Sequence, residues 1–247
     1  MKTDISPAII MRVKEFGESD LLVTFFSADR GHLKGVAKGA RKSRHRFVNC
    51  LESLALVNLE YDPKKRGDLC FLHSGKLIEA HAAIRTDYPT LAKASYMIEL
   101  VEVLFPPAVK DLAAFQLLKE SLECLTVRQN ENSLPFIFEI RIMALGGYAI
   151  NVRKCCLCNR SYTGQGPAVF IRERGGIACL NCRPASTLNP LLHPPAVQML
   201  QNLQANGLSG LKDLNIAEDI LKELKPILKL HREYHLERKL KTSKFID

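Results

Sequence analysis

The hydrophobic period of the chain changes near residue 80, is broken again only across 151–185, and the first change limits the fold more than any other feature. Upstream, apolar and β-branched residues come in short runs of alternating character, which a strand can place on one face. Downstream they recur every three or four residues, which only a helix can gather on one side. A chain that is β first and α afterwards belongs to the α+β class, with its strands and helices segregated.

The β part divides at turn signals. Ala8 to Val13 and Asp20 to Ser27 are strand-like runs separated by Phe16-Gly17-Glu18-Ser19. Ala28-Asp29-Arg30-Gly31 is the next turn, and His32 to Ala37 pairs back as a third strand. Leu54 to Tyr61 alternates as a fourth, Asp62 to Asp68 is a turn, and Leu69 to Ile78 forms the fifth. Five short strands with a long loop after the third fit a small closed barrel of the OB type. The strand count fits an SH3-like barrel equally well. Phe25, Phe26 and Phe47 are expected in its core.

The helical part starts at Asp87-Tyr88-Pro89-Thr90, a capping Asp followed by an early proline. Leu91, Ala94, Ile98, Val101 and Leu104 or Phe105 give the first helix one apolar face, and Pro106-Pro107 ends it. Asp111 to Val127 repeats the pattern through Leu112, Phe115, Leu118 and Leu122. Ser133 to Leu145 is a third helix, stopped by Gly146-Gly147. A further helix follows Pro190, Pro194 and Pro195, with Val197, Leu200 and Leu203 on one face and an end near Gly207. The last helical region runs from Ala217 to Phe245, interrupted or kinked at Pro226. The expected division is a barrel over 1–80, a helical domain over 81–150 and 186–247, and an inserted module over 151–185.

That module carries five of the eight cysteines. Cys155 and Cys158 form one C-x-x-C pair, Cys179 and Cys182 a second, with twenty residues between the pairs. Four thiolates at this spacing surround a zinc ion tetrahedrally, and Val169 to Ala178 supplies a hairpin that brings the two knuckles together. Cys155 is favoured over its neighbour Cys156 as first ligand, because a one-residue spacing to Cys158 would cramp the chelate. Four protein sulfurs leave no open position for water, so the zinc is expected to be structural. Cys50, Cys70 and Cys124 sit among apolar neighbours, as free cysteines in a reducing compartment do.

Between Gly31 and Arg46 the chain carries Lys34, Lys38, Arg41, Lys42, Arg44 and Arg46 and no carboxylate. Like charges at this density repel, so folding alone does not call for them, whereas a surface that binds phosphates does. Three glycines and a serine make the stretch a short strand running into a flexible loop. Arg232, Arg238, Lys239, Lys241 and Lys244 form a second basic strip, and the formal net charge is +9. His231 and His235 in HREYH are expected to be exposed or phosphate-facing, since the metalloprotease pattern would need Glu where Arg232 stands. No phosphate-binding Gly-Lys-Ser/Thr loop, no nucleophile elbow and no Rossmann fingerprint occurs. Nothing in the sequence therefore asks for an enzyme. No leader and no apolar run long enough to span a bilayer are recognised, so the cytoplasm is the expected place, with association to the nucleoid.

Three segments together resemble the RecO family of bacterial recombination mediators. They are the opening AIIMRVKEFGESDLLVTFFSADRGHLKGVAKGARK, the module CCLC…GGIACLNC, and the terminal HREYHLERKLKTSKFI. The resemblance implies an N-terminal OB barrel, a helical domain and a zinc-ribbon module within it. It also implies binding of single- and double-stranded DNA and annealing of complementary strands. The partners it implies are RecR and the acidic C-terminal tail of single-stranded DNA-binding protein, which together help RecA onto the strand. Two rival functions are a zinc-containing protein-interaction scaffold and a zinc-ribbon nuclease. Charge reversal in the basic loop separates the first from a DNA binder, and an assay for cleavage separates the second.

Overall fold

The computed structural model of the chain describes residues 3–62, 69–205, 211, 214–236 and 239–246. The expected turn across 63–68 and the helix end near Gly207 lie outside them. Two compact units are formed, one from residues 1–94 and 105–127, the other from 95–104 and 128–247.

In the first unit, five strands close into a barrel: β1 (Asp4–Phe16), β2 (Asp20–Ser27), β3 (Gly31–Ala37), β4 (Leu56–Asp62) and β5 (Cys70–Glu79). Their order around the barrel is β1-β2-β3-β5-β4. All pairs are antiparallel except β3 with β5, which run parallel with Gly35, Val36 and Ala37 opposite Cys70, Phe71 and Leu72. This closure decides between the two barrels that the strand count left open, in favour of the OB type. β1 begins four residues earlier than expected and runs three further, because it pairs with β4 at one end and β2 at the other.

Alternation sorts the barrel residues. Ala8, Ile10, Val23, Phe25, Leu33, Ala37, Val57, Leu59, Tyr61 and Leu72 fill the interior, closed by Phe47, Cys50 and Leu51 from the long loop. Phe25 meets Tyr61 edge-on at 5.4 Å, and the Tyr61 hydroxyl lies 3.1 Å from that of Ser27. Phe26 points the other way and packs between Phe105 and Phe115. The three phenylalanines expected in the core are all buried.

Helices α1 (Ala82–Arg85), α2 (Tyr88–Leu104) and α3 (Leu112–Thr126) follow. Asp87 caps α2 by accepting the Thr90 N–H at 3.0 Å, and Asp111 caps α3 by accepting that of Ala114 at 2.8 Å. α2 is not one-faced: Tyr96, Met97, Ile98, Glu99, Leu100 and Val101 are all buried. Leu112, expected on the apolar face of α3, is instead 48% exposed.

The second unit holds α4 (Leu134–Leu145), α5 (Pro194–Ala205) and α6 (Glu218–His235). α4 has Pro135 in its first turn and Gly146 at its C-cap, and is buried on every side from Leu134 to Met143. α5 buries Val197, Leu200 and Leu203, as its spacing predicts. α6 accommodates Pro226 within it and stops at His235, ten residues short of the expected end; Ser243–Phe245 is a separate 3-10 turn. A three-stranded sheet, β6 (Ala168–Ile171), β7 (Gly176–Cys179) and β8 (Leu191–Leu192), carries the cysteine module. β6 and β7 form the expected hairpin, while β8 joins from beyond residue 185.

Candidate nucleic-acid interface and metal centre

The loop after β3 is built rather than free. Gly39 takes a left-handed turn at φ +64°, which lets its N–H reach the Asp20 carboxylate at 2.8 Å. Ala40–Lys42 then make one 3-10 turn, tied to the β1–β2 turn by the Arg41 N–H on the Ser19 carbonyl. Ala40, Phe47 and Cys50 plug into the barrel, and the Gly75 N–H on the Arg46 carbonyl fixes the far side. Anchored apolar residues at both ends force the intervening cations outward. Lys34, Lys38, Arg41, Lys42, Arg44 and Arg46 are all exposed.

Among the described residues, two of them make a hydrogen bond or ion pair with the protein. Arg46 donates to the Lys38 carbonyl at 2.6 Å and lies over the Phe47 ring. Arg41 pairs with Glu15 at 3.2 Å, a carboxylate brought in by the neighbouring strand end. An ion pair this exposed contributes at most about 1 kcal/mol, so Arg41 can exchange it for a phosphate. One residue on this surface escaped the sequence reading. Phe71 stands half exposed on β5 with the Lys38 ammonium 5.2 Å from its ring centre. The alternation Cys70-Phe71-Leu72 contained the signal, because the flanking residues point inward.

The C-terminal strip is only partly what the sequence suggested. Lys239, Lys241 and Lys244 are exposed. Arg238 lies outside the described residues. Arg232 is a correction: it is 3% exposed, with Nη1 donating to Glu139 at 3.0 Å and to the Tyr96 hydroxyl at 2.8 Å. Its charge answers a buried carboxylate and does not reach solvent. The tail itself is held by Glu99, whose carboxylate accepts the N–H groups of Lys241 and Thr242 and the Thr242 hydroxyl. This capture fixes the backbone and leaves the lysine side chains outside.

His231 is corrected likewise, and its neighbour His235 is half-buried. His231 is 3% exposed and donates from Nε2 to the Tyr148 carbonyl at 2.8 Å. Its ring lies 4.5 Å from that of His235 and edge-on to Phe170. Burial, opposed by the Tyr148 bond, lowers its pKa to about 4, so it is a neutral packing group.

The cysteine sulfurs converge. Those of Cys155, Cys158, Cys179 and Cys182 all lie within 4.8 Å of one another, with Cys158 and Cys179 3.9 Å apart. Ligands 2.3 Å from a tetrahedral ion are separated by about 3.8 Å, so the cluster fits a metal of that geometry. Cys155, not Cys156, faces the centre; Cys156 packs instead against Val169, Ile171 and Ala178. Burial raises the Cys155 thiol, but N–H groups of Cys158, Cys179 and Leu157 outweigh it and bring the pKa down to about 6. The Cys182 thiol is pushed up to about 12, chiefly by its bonds to the Cys179 and Cys158 sulfurs. N–H groups of Cys158 and Cys179 aimed at the Cys155 sulfur favour the thiolate, the form that ligates a metal.

Residues 1–81 match the family model for the N-terminal part of recombination protein O, and residues 85–244 match the model for its C-terminal part. The chain belongs to the RecO family. A RecO-family relative named DNA repair protein RecO, from Desulfatibacillum aliphaticivorans, is 32% identical over 97% of this chain and 94% of its own length. Another of that name from Syntrophobacter fumaroxidans is 35% identical over 72% of this chain and 71% of its own. A third, from Syntrophotalea carbinolica, is 32% identical over 74% and 70% respectively. The RecO matches meet at the junction where the hydrophobic period changes. Among the described residues, no helix is long and apolar enough to cross a membrane.

Proposed function

We propose that this chain is a non-enzymatic recombination mediator that binds single- and double-stranded DNA and anneals complementary strands. The observation that carries this reading is the run of six exposed cations on β3 and the anchored loop that follows it, none of them buried. Phosphate neutralisation is sequence-independent and needs positive charge held on a surface, which the loop supplies. Lys239, Lys241 and Lys244 are assigned the second contact, so that two polyanions can meet on one molecule.

Zn²⁺ is assigned to Cys155, Cys158, Cys179 and Cys182 as a structural ion that crosslinks two knuckles and stiffens a small sheet. Names borne by relatives support DNA repair as the setting. RecR, the acidic tail of single-stranded DNA-binding protein, and RecA are assigned as partners on family membership alone, as is a place at the nucleoid.

Annealing of complementary oligonucleotides coated with single-stranded DNA-binding protein, followed by fluorescence, tests the proposal. The wild type should accelerate pairing, and a variant with Arg41, Lys42, Arg44 and Arg46 reversed to Glu should not. Equal rates with and without wild-type protein would refute it, and strand cleavage in the presence of divalent metal would refute the non-enzymatic part.

A further inference from the structure

The outer wall of the barrel carries an aromatic ring that neither the fold nor the basic loop accounts for. Leu33 and Ala37 on β3, and Cys70 and Leu72 on β5, point into the core. Strand alternation therefore turns Lys34 and Val36 away from the barrel core on β3, with Lys38 exposed one residue past its end, and Phe71 and His73 outward on β5. The parallel register sets Val36 beside Phe71, so the two lysines flank the ring along the neighbouring strand. Phe71 is 50% exposed, and the Lys38 ammonium sits 5.2 Å from its centroid. On the opposite side, Asp62 pairs with Phe71 across β4, and its carboxylate is bonded to His73 at 3.0 Å.

An aromatic face open to water between cations offers two things at once: a surface for a base and charges for its flanking phosphates. Paired bases in a duplex are stacked on one another and present no free face to such a ring. We propose that Phe71 is a stacking platform for an unpaired base, with Lys34 and Lys38 on the adjoining phosphates. The inference rests on the DNA-binding reading and deepens it, by placing on this wall a site that selects single strands. Stacking tolerates any base, in keeping with annealing that has no sequence preference.

Fluorescence anisotropy of the zinc-loaded full chain tests this with three labelled ligands: oligo-dT, an abasic strand of equal length, and a duplex. Phe71→Ala should weaken oligo-dT binding about tenfold. It should leave the abasic strand and the duplex unchanged and keep the salt slope for oligo-dT. Phe71→Trp should restore the lost affinity and Phe71→Leu should not, all variants melting within a few degrees of wild type. Unchanged oligo-dT affinity in Phe71→Ala, an equal loss on the abasic strand, or rescue by leucine would each overturn stacking. Wild type that binds oligo-dT and loses affinity through Lys34→Glu and Lys38→Glu, but not through Phe71→Ala, refutes stacking alone. Wild type that binds no strand refutes the parent reading and this one together.

Discussion

Arg232 and Glu139 carry opposite charges out of water on α6 and α4, with Tyr96 of α2 as the third partner. The pair is 4% and 1% exposed at its side chains. Breaking a buried ion pair by removing one member costs about 3–5 kcal/mol, whereas replacing both with apolar groups of similar size costs far less. Urea melts should therefore show Arg232→Met strongly destabilised and the double variant with Glu139→Leu largely recovered. Four single-letter neighbours in a basic tail gave no hint of this, because the carboxylate lies 93 residues away in sequence. His231 belongs to the same scale. Its folded pKa of about 4 lies below the ordinary 6.5, so between those values the unfolded chain binds the proton and the folded chain does not. Stability should fall with acid across that window, by about 2–4 kcal/mol in total, and level off below it. His231→Asn removes the titrating group, and its urea midpoint should vary less between pH 7 and pH 4 than that of wild type.

The elements differ in how openly the sequence announced them. The strands of the barrel were legible because one face of each is buried, and the four cysteines because chelation imposes spacing. The parallel β3–β5 seam was hidden, since register between distant strands leaves no local periodicity. α4 hid its orientation for the opposite reason: a helix buried all round has no stripe to read. The tail lost its expected helix because Glu99, on α2, gives the backbone of Lys241 and Thr242 an alternative set of hydrogen bonds. The cysteine module is where an element-scale prediction is sharpest. Its sheet has strands of four, four and two residues, too little apolar area to hold two knuckles in place unaided. Cys155→Ser should abolish bound zinc and lower the melting temperature of the protein, while Cys156→Ser should retain a full equivalent. Atomic absorption on the purified variants, read beside a chelator titration of wild type, checks both outcomes.

At the scale of the whole molecule, charge is the property that has to be explained, and position decides what it does. A formal charge of +9 implies self-repulsion that a protein with no use for it would dilute. The folded chain removes Arg232 from that total as a surface group, by burying it against Glu139. It draws Arg41 towards Glu15, and leaves Lys34, Lys38, Lys42 and Arg44 uncovered around a loop whose ends are bolted into the barrel. Cations held on such a frame lose little freedom when a phosphate arrives, so affinity should track ion release. About five phosphate contacts would give log affinity for single strands a slope of about −3.5 against log salt. Reversing Arg41, Lys42, Arg44 and Arg46 removes most of the donors and should flatten that slope, not merely lower affinity at one salt. The double variant Arg232→Met/Glu139→Leu should leave it untouched, because that guanidinium faces the interior. Titrations from low to physiological salt separate the two: a slope near zero in wild type, or one that the double variant changes as much as the loop variant does, would place the DNA-binding charge elsewhere.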